Sequence, residues 1–162
     1  MKKIIVAVFT LFIASAQIAM GQDLTERRAI KEYQESVLPD IQTQINTLVG
    51  FEVPLNIDWA KIALAGDAEN YSNEAYFTNV YFTPLVQALS SIASDDLGKQ
   101  ALSTKLKSIK VTYDADTAPS SAYENGIDFI DGSMTLNFKP FSNASDIDER
   151  SEAIVRVLES KL

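Results

Sequence analysis

Four carboxylates, Glu52, Asp58, Asp128 and Asp131, are the side chains of this sequence with the clearest capacity for acid–base work. Glycosidic hydrolysis needs two carboxyls facing each other across a cleft, about 5–9.5 Å apart, one donating a proton while the other attacks or activates water. Glu52 and Asp128 fall on the polar side of alternating segments, so one sheet face can carry both. Asp114, Asp116, Glu124, Asp146, Asp148 and Glu149 complete the set of candidate acids. Asp114-Ala-Asp116 and Asp146-Ile-Asp148-Glu149 gather oxygens suited to a hard cation. Neither has the fixed ligand positions, central glycine and terminal glutamate of a calcium loop. The second reads better as an acidic helix start favoured by the macrodipole. Ser103 or Ser108 beside Lys105 or Lys107 offers a Ser–Lys pairing, but such lysines first of all make a solvated helix face. No metal site and no cofactor is expected.

Aromatic residues make a second constellation. Tyr71, Tyr76 and Phe82 fall off the main apolar stripe of a helix predicted over 74–94 and, with Tyr81 and Phe77, widen its apolar side. Such a helix is either buried on several sides or offers aromatic anchors to a partner. Tyr71, Tyr76, Tyr81 and Phe82 are therefore the candidate contact surface.

What the chain lacks narrows the chemistry further. It has no histidine and no cysteine. Ser-His-Asp and Cys-His catalysis are excluded, as are His- or Cys-ligated zinc sites. No Gly-rich phosphate cradle occurs among the 6 glycines. The net charge of −8 disfavours nucleic acid and anionic headgroups.

The first residues look like an address. Lys2 and Lys3 precede an apolar run, Ile4 to Ala16, followed by Ala19-Met20-Gly21. That layout predicts an export signal over residues 1–21, cut between Gly21 and Gln22. The run is shorter than the ~20 residues a membrane-spanning helix needs, so cleavage is favoured over anchoring and no stable membrane insertion is expected afterwards. Residues 22–162 then form one domain. Without Lys2 and Lys3 its net charge is −10. With no disulfide available, its core must hold the fold alone.

The elements that must position these residues follow from periodicity. Ile30, Tyr33, Val37, Ile41, Ile45, Leu48 and Val49 mark a helix over 24–49, capped by Thr25, kinked at Pro39 and ended by Gly50. Phe51 to Trp59 alternates cleanly as one strand, with Pro54 forcing an edge or a bulge. A short helix over 60–66 is expected to be capped by Asp58. A loop spans 67–73. The helix over 74–94 is open to a break at Thr83-Pro84, and another covers 97–106 after Asp95 or Asp96. A strand over 109–113, an acidic, Ser-rich loop over 114–125, and strands over 127–130 and 133–138 follow, the last two joined by an Asp131-Gly132 type I′ turn. Ser145 or Asp146 opens a terminal helix with Ile147, Ile154, Val157 and Leu158 facing inward.

The order α-β-α-α-α-β-β-β-α predicts an α+β fold of two layers: an antiparallel or mixed four-stranded sheet with helices on one face. The expected function is that of an exported, periplasmic or extracellular, non-enzymatic module binding a protein or small ligand. The alternative is a carboxylate-dependent hydrolase of cell-envelope polymer using Glu52, Asp58, Asp128 and Asp131.

Overall fold

A computed structural model describes residues 22–162. The expected export signal lies outside the described residues. The fold is α+β, with six α-helices and a mixed four-stranded sheet among the described residues.

Helix α1, Leu24–Ser36, begins at a capping box. The Asp23 carboxylate accepts from the Glu26 N–H at 2.8 Å, and Glu26 accepts from the Asp23 N–H at 3.0 Å. Asp23, not Thr25, is therefore the cap. Helix α2, Leu38–Val49, follows after Val37 alone, which stays right-handed at φ −116° and donates to the Tyr33 carbonyl. The single kinked helix expected over 24–49 is thus two helices: Pro39 has no N–H to donate and sits in the first turn of α2, where none is needed. Gly50 ends it at φ 82°.

Strand β1 is only Leu55–Ile57, not the whole of 51–59. Asn46 and Gln42 on α2 capture the Val53 N–H and carbonyl at 3.1 and 3.0 Å, so this part of the alternating run is tied to a helix. Pro54 contributes only its carbonyl, accepting from Ile109. Helix α3 is likewise short, Trp59–Ile62, and Asp58 makes no side-chain cap bond.

The predicted 74–94 helix is reshaped. A 3-10 turn at Ala68–Asn70 and a π-helical turn at Thr78–Phe82 precede α4, Thr83–Ile92. Pro84 has no N–H and its ring crowds the carbonyl one turn back. The wider π turn gives that ring room, with the Thr83 N–H reaching back to Thr78. Helix α5 is Asp96–Lys105, with the Asp95 carboxylate accepting from the Gly98 N–H at 2.8 Å.

Strands β2 (Ser108–Thr112), β3 (Ile127–Ile130) and β4 (Ser133–Asn137) complete the sheet in the order β1-β2-β4-β3. β1/β2 and β2/β4 are parallel, and β3/β4 is antiparallel. The hairpin turn has the expected two left-handed residues, Asp131 at φ 53° and Gly132 at φ 88°. A Cβ on Gly132 would meet the Lys105 carbonyl at 2.5 Å, so only glycine fits. Helix α6, Ile147–Glu159, packs on α4 and against β3.

Register makes the sheet one-sided. Leu55, Ile109, Met134 and Phe129 share one row, and Ile57, Val111, Leu136 and Ile127 another, all facing the helices. Between them the outward row is Asn56, Lys110, Thr135 and Asp128, polar throughout, with Asn56, Lys110 and Asp128 exposed. Among the described residues no helix is long and apolar enough to cross a membrane. Leu136→Ala is expected to destabilise the protein by about 2–5 kcal/mol. Lys110→Ala on the opposite face should stay within about 0.5 kcal/mol. Urea denaturation of both variants checks the asymmetry, and equal effects would contradict it.

Candidate functional site

The four aromatic residues expected at a contact surface are interior. Tyr71, Tyr76 and Tyr81 are 0% exposed and Phe82 is 1% exposed. The π turn, with an extra residue per turn, buries Val80, Tyr81 and Phe82 in succession, and Tyr71 and Tyr76 join the same core from the turns over 71–77. Phe77 is the hub, with ring centroids 4.7 Å from Tyr76, 5.1 Å from Tyr33, 5.4 Å from Tyr71 and 5.6 Å from Trp59. Each hydroxyl of the three tyrosines has a partner. Tyr71 donates to the Leu64 carbonyl at 2.6 Å, Tyr76 to Asp67 at 2.9 Å, and Tyr81 to the Phe138 carbonyl. These are packing residues with polar ends satisfied.

The candidate acids do not converge. Asp58 follows β1 and Asp128 sits on β3, so the sheet order places three strand spacings between them, about 14 Å at ~4.8 Å each. Glu52 is exposed ahead of Pro54 on the β1 side, and Asp131 is exposed in the hairpin turn beyond β3. Asp58 makes a loose ion pair with Lys61 at 4.0 Å. The remaining clusters serve local structure. Asp114 accepts from the Asp116 N–H at 3.0 Å. Asp146 stands at the α6 N-cap position without capping it and instead accepts from the Tyr123 hydroxyl at 2.7 Å. Among the described residues no group of three acids is arranged to hold a metal ion. Ser108 bonds Ser133 at 3.0 Å, and Ser103 donates to the Gln100 carbonyl at 2.9 Å; neither is held by a lysine.

Two residues outside the sequence-derived candidates stand out. Arg150 is 1% exposed. It occupies the apolar stripe of α6, three residues after Ile147 and four before Ile154, where a charge is out of place. That spacing is the signal through which the sequence could have revealed it. Its guanidinium donates to the Ser142 and Asn143 carbonyls, both at 2.7 Å, and more weakly to the Asp146 carbonyl at 3.4 Å. It lies over the Tyr123 ring at 4.3 Å and near that of Phe138 at 5.5 Å. Burial lowers its pKa from the ordinary arginine value, and nearby Tyr123 and Asp146 oppose that shift. Carbonyl dipoles and aromatic faces thus replace water around this cation. No ion pair to Arg150 occurs among the described residues.

The carbonyls that Arg150 grips belong to the loop linking β4 to α6. Phe141 in that loop is 47% exposed and has φ 56°, and Asn143 has φ 48°. Left-handed backbone is tolerable for asparagine but strained for phenylalanine. Phe141 is fixed nonetheless: its N–H donates to the Tyr76 carbonyl at 3.2 Å, and its ring stacks on Tyr76 at 5.4 Å and 24°. Asn143 donates to the Ser120 carbonyl at 3.0 Å. Among the described residues Phe141 is the one aromatic side chain left largely exposed. A single aromatic in a polar loop carries no periodicity, which is why pattern reading passes over it. This loop, residues 139–146, is the candidate site. The arrangement presents a half-exposed aromatic ring on a hydrogen-bonded loop.

Glu26 is the other buried charge, 4% exposed, and it is structural. Beyond the capping box its second oxygen accepts from the Gly66 N–H at 2.8 Å, tying α1 to the segment after α3.

The buried tyrosines set a pH limit. Burial raises the pKa of Tyr33, Tyr71, Tyr76 and Tyr81 above the ordinary value of 10.0, and nearby carboxylates add to the rise for Tyr71 and Tyr76. The unfolded chain then loses these protons at lower pH than the folded one. Stability contributed by the neutral hydroxyls is intact below about pH 10 and falls as pH rises beyond it. Thermal melts between about pH 8 and 11.5 should show Tm dropping above pH 10, and Tyr33→Phe should make the drop shallower. A Tm independent of pH across that range would contradict the burial.

No known family model, no curated protein and no solved structure matches this chain.

Proposed function

We propose that this chain is an exported, non-enzymatic binding module that meets a protein partner through the 139–146 loop, with Phe141 as its anchor. The observation that supports this is the half-exposed Phe141 ring held in left-handed backbone. A bulky side chain in that conformation costs roughly 1–3 kcal/mol, and such strain concentrates at functional positions. Folding alone gains little from displaying the ring to water. A partner gains more, because an aromatic anchor whose backbone is already fixed loses little entropy on docking. The acids at the start of α6, Asp148 and Glu149, are exposed beside the loop and add a negative rim. The reading of export rests on the basic, apolar and small-residue sequence of residues 1–21.

The test is affinity capture from the envelope and medium of the exporting cell, using the wild type, Phe141→Ala and Lys110→Ala. A specific partner retained by Lys110→Ala and reduced at least tenfold by Phe141→Ala is expected, with Tm lowered by only a few degrees. The mature protein recovered from the same fractions should have an intact mass that begins at Gln22. Equal capture by wild type and Phe141→Ala, or a loss of stability as large as that of a core deletion, would overturn the contact-surface reading. A protein recovered only from the cytoplasm would overturn export.

A further inference from the structure

The 139–146 loop has a mechanical side that does not depend on its having a partner. Two non-glycine residues in left-handed backbone, Phe141 and Asn143, lie two positions apart. Besides Arg150, three attachments hold the segment: Phe141 on Tyr76, through its N–H and its ring, Asn143 on the Ser120 carbonyl, and the Asp146 carboxylate, which accepts from the Tyr123 hydroxyl. Arg150 holds the Ser142 and Asn143 carbonyls, the ones on either side of left-handed Asn143 and next along the chain from Phe141. Arg150 has no carboxylate to fall back on among its hydrogen-bond partners, and its Nε is buried without one. The buried cation and the strained loop therefore complete each other. If the loop lifts, both the carbonyl bonds and the left-handed strain are released together, and water can reach the guanidinium.

We propose that residues 139–146 form a latched flap: Arg150 is the latch, and the flap opens as a local unit that uncovers the ring of Tyr76. The flap covers Tyr76, but the other contacts of Tyr76 and of the core beneath it come from outside the flap. Tyr76 remains packed on Phe77 and Tyr71, and Tyr81 remains bonded to the Phe138 carbonyl at the base of the flap. The sheet retains its ladders, since β4 ends at Asn137. Local opening of this kind has a smaller exposed area than global unfolding, so its free energy depends little on denaturant.

Native-state hydrogen exchange of the full chain across low urea concentrations tests this. In the wild type the Phe141 amide should exchange at least tenfold faster than the Val111 amide of β2, with little urea dependence, while Val111 should follow global unfolding. Arg150→Lys keeps the charge but cannot span both carbonyls in the planar fork. It should speed exchange at Phe141 a further tenfold or more and leave the ratio of Val111 to Leu136 exchange unchanged. If the wild-type Phe141 amide exchanges at the Val111 rate with the same urea dependence, the flap opens only with the whole protein and the proposal fails. If Arg150→Lys speeds Phe141, Val111 and Leu136 by the same factor, or leaves Phe141 unchanged, Arg150 is not a latch and the proposal fails equally.

Discussion

A sheet that is apolar on one face and polar on the other has to be covered on one side only, and in this chain nothing but side-chain packing does the covering. No cysteine exists to cross-link the layers. The two inward rows of the sheet therefore share one core with the helices and the aromatic cluster centred on Phe77, with α6 against β3 and α3 against β2. Most of what is unusual elsewhere follows from that demand. The π turn before α4 brings Val80, Tyr81 and Phe82 to the interior in succession, more than a regular helix face would bury. The tyrosine hydroxyls come inside with their rings, and each needs a partner there, which the Leu64 and Phe138 carbonyls and Asp67 provide. Unpaired, each would forfeit about 1–3 kcal/mol.

The same demand separates scaffold from contact surface. Aromatic residues are so heavily committed to the core that few remain for recognition. Phe141 lies at the edge of the aromatic core, one face on Tyr76 and the rest outside, in a loop whose next carbonyls are held by Arg150. Arg150 itself illustrates how a charge can be retained in an interior without a direct ion pair. Two short carbonyl bonds and the faces of Tyr123 and Phe138 surround it. Removing such partners from a buried charge is severe, because the desolvation penalty persists while its compensation is lost. A loop tied down in this way holds its backbone in a conformation it would not choose alone.

Much of the architecture was legible in the sequence, and the losses have definite causes. A helix interruption beside Pro39, the left-handed end at Gly50, the Asp131-Gly132 hairpin and the one-sided sheet follow from local rules of proline, glycine and alternation, though the interruption divides two helices where the sequence pattern predicts a kink in one. The 51–59 strand was overextended because alternation records which side chains are buried, not what buries them; Val53 is held by Asn46 and Gln42 of α2. Tyr71, Tyr76, Tyr81 and Phe82 are interior because the chain over 71–82 does not keep one α-helical period: turns carry Tyr71 and Tyr76, and a π turn with its extra residue carries Tyr81 and Phe82. The candidate acids could not be paired from sequence, since strand order decides their separation and no local residue pattern encodes it. Arg150 was legible in principle, as a cation in register with Ile147, Ile154 and Leu158. Phe141 was not, because its significance lies in a backbone angle.

The central claim is that the aromatic cluster is scaffold and that Phe141 alone of these rings faces outward. Hydroxyl-radical footprinting of the folded protein, read by mass spectrometry, tests it directly. Phe141 should be oxidised quickly, while Tyr71, Tyr76, Tyr81, Phe82 and Trp59 react only after denaturant unfolds the chain. Rapid oxidation of Tyr71, Tyr81 or Phe82 in the native state, or a protected Phe141, would contradict it.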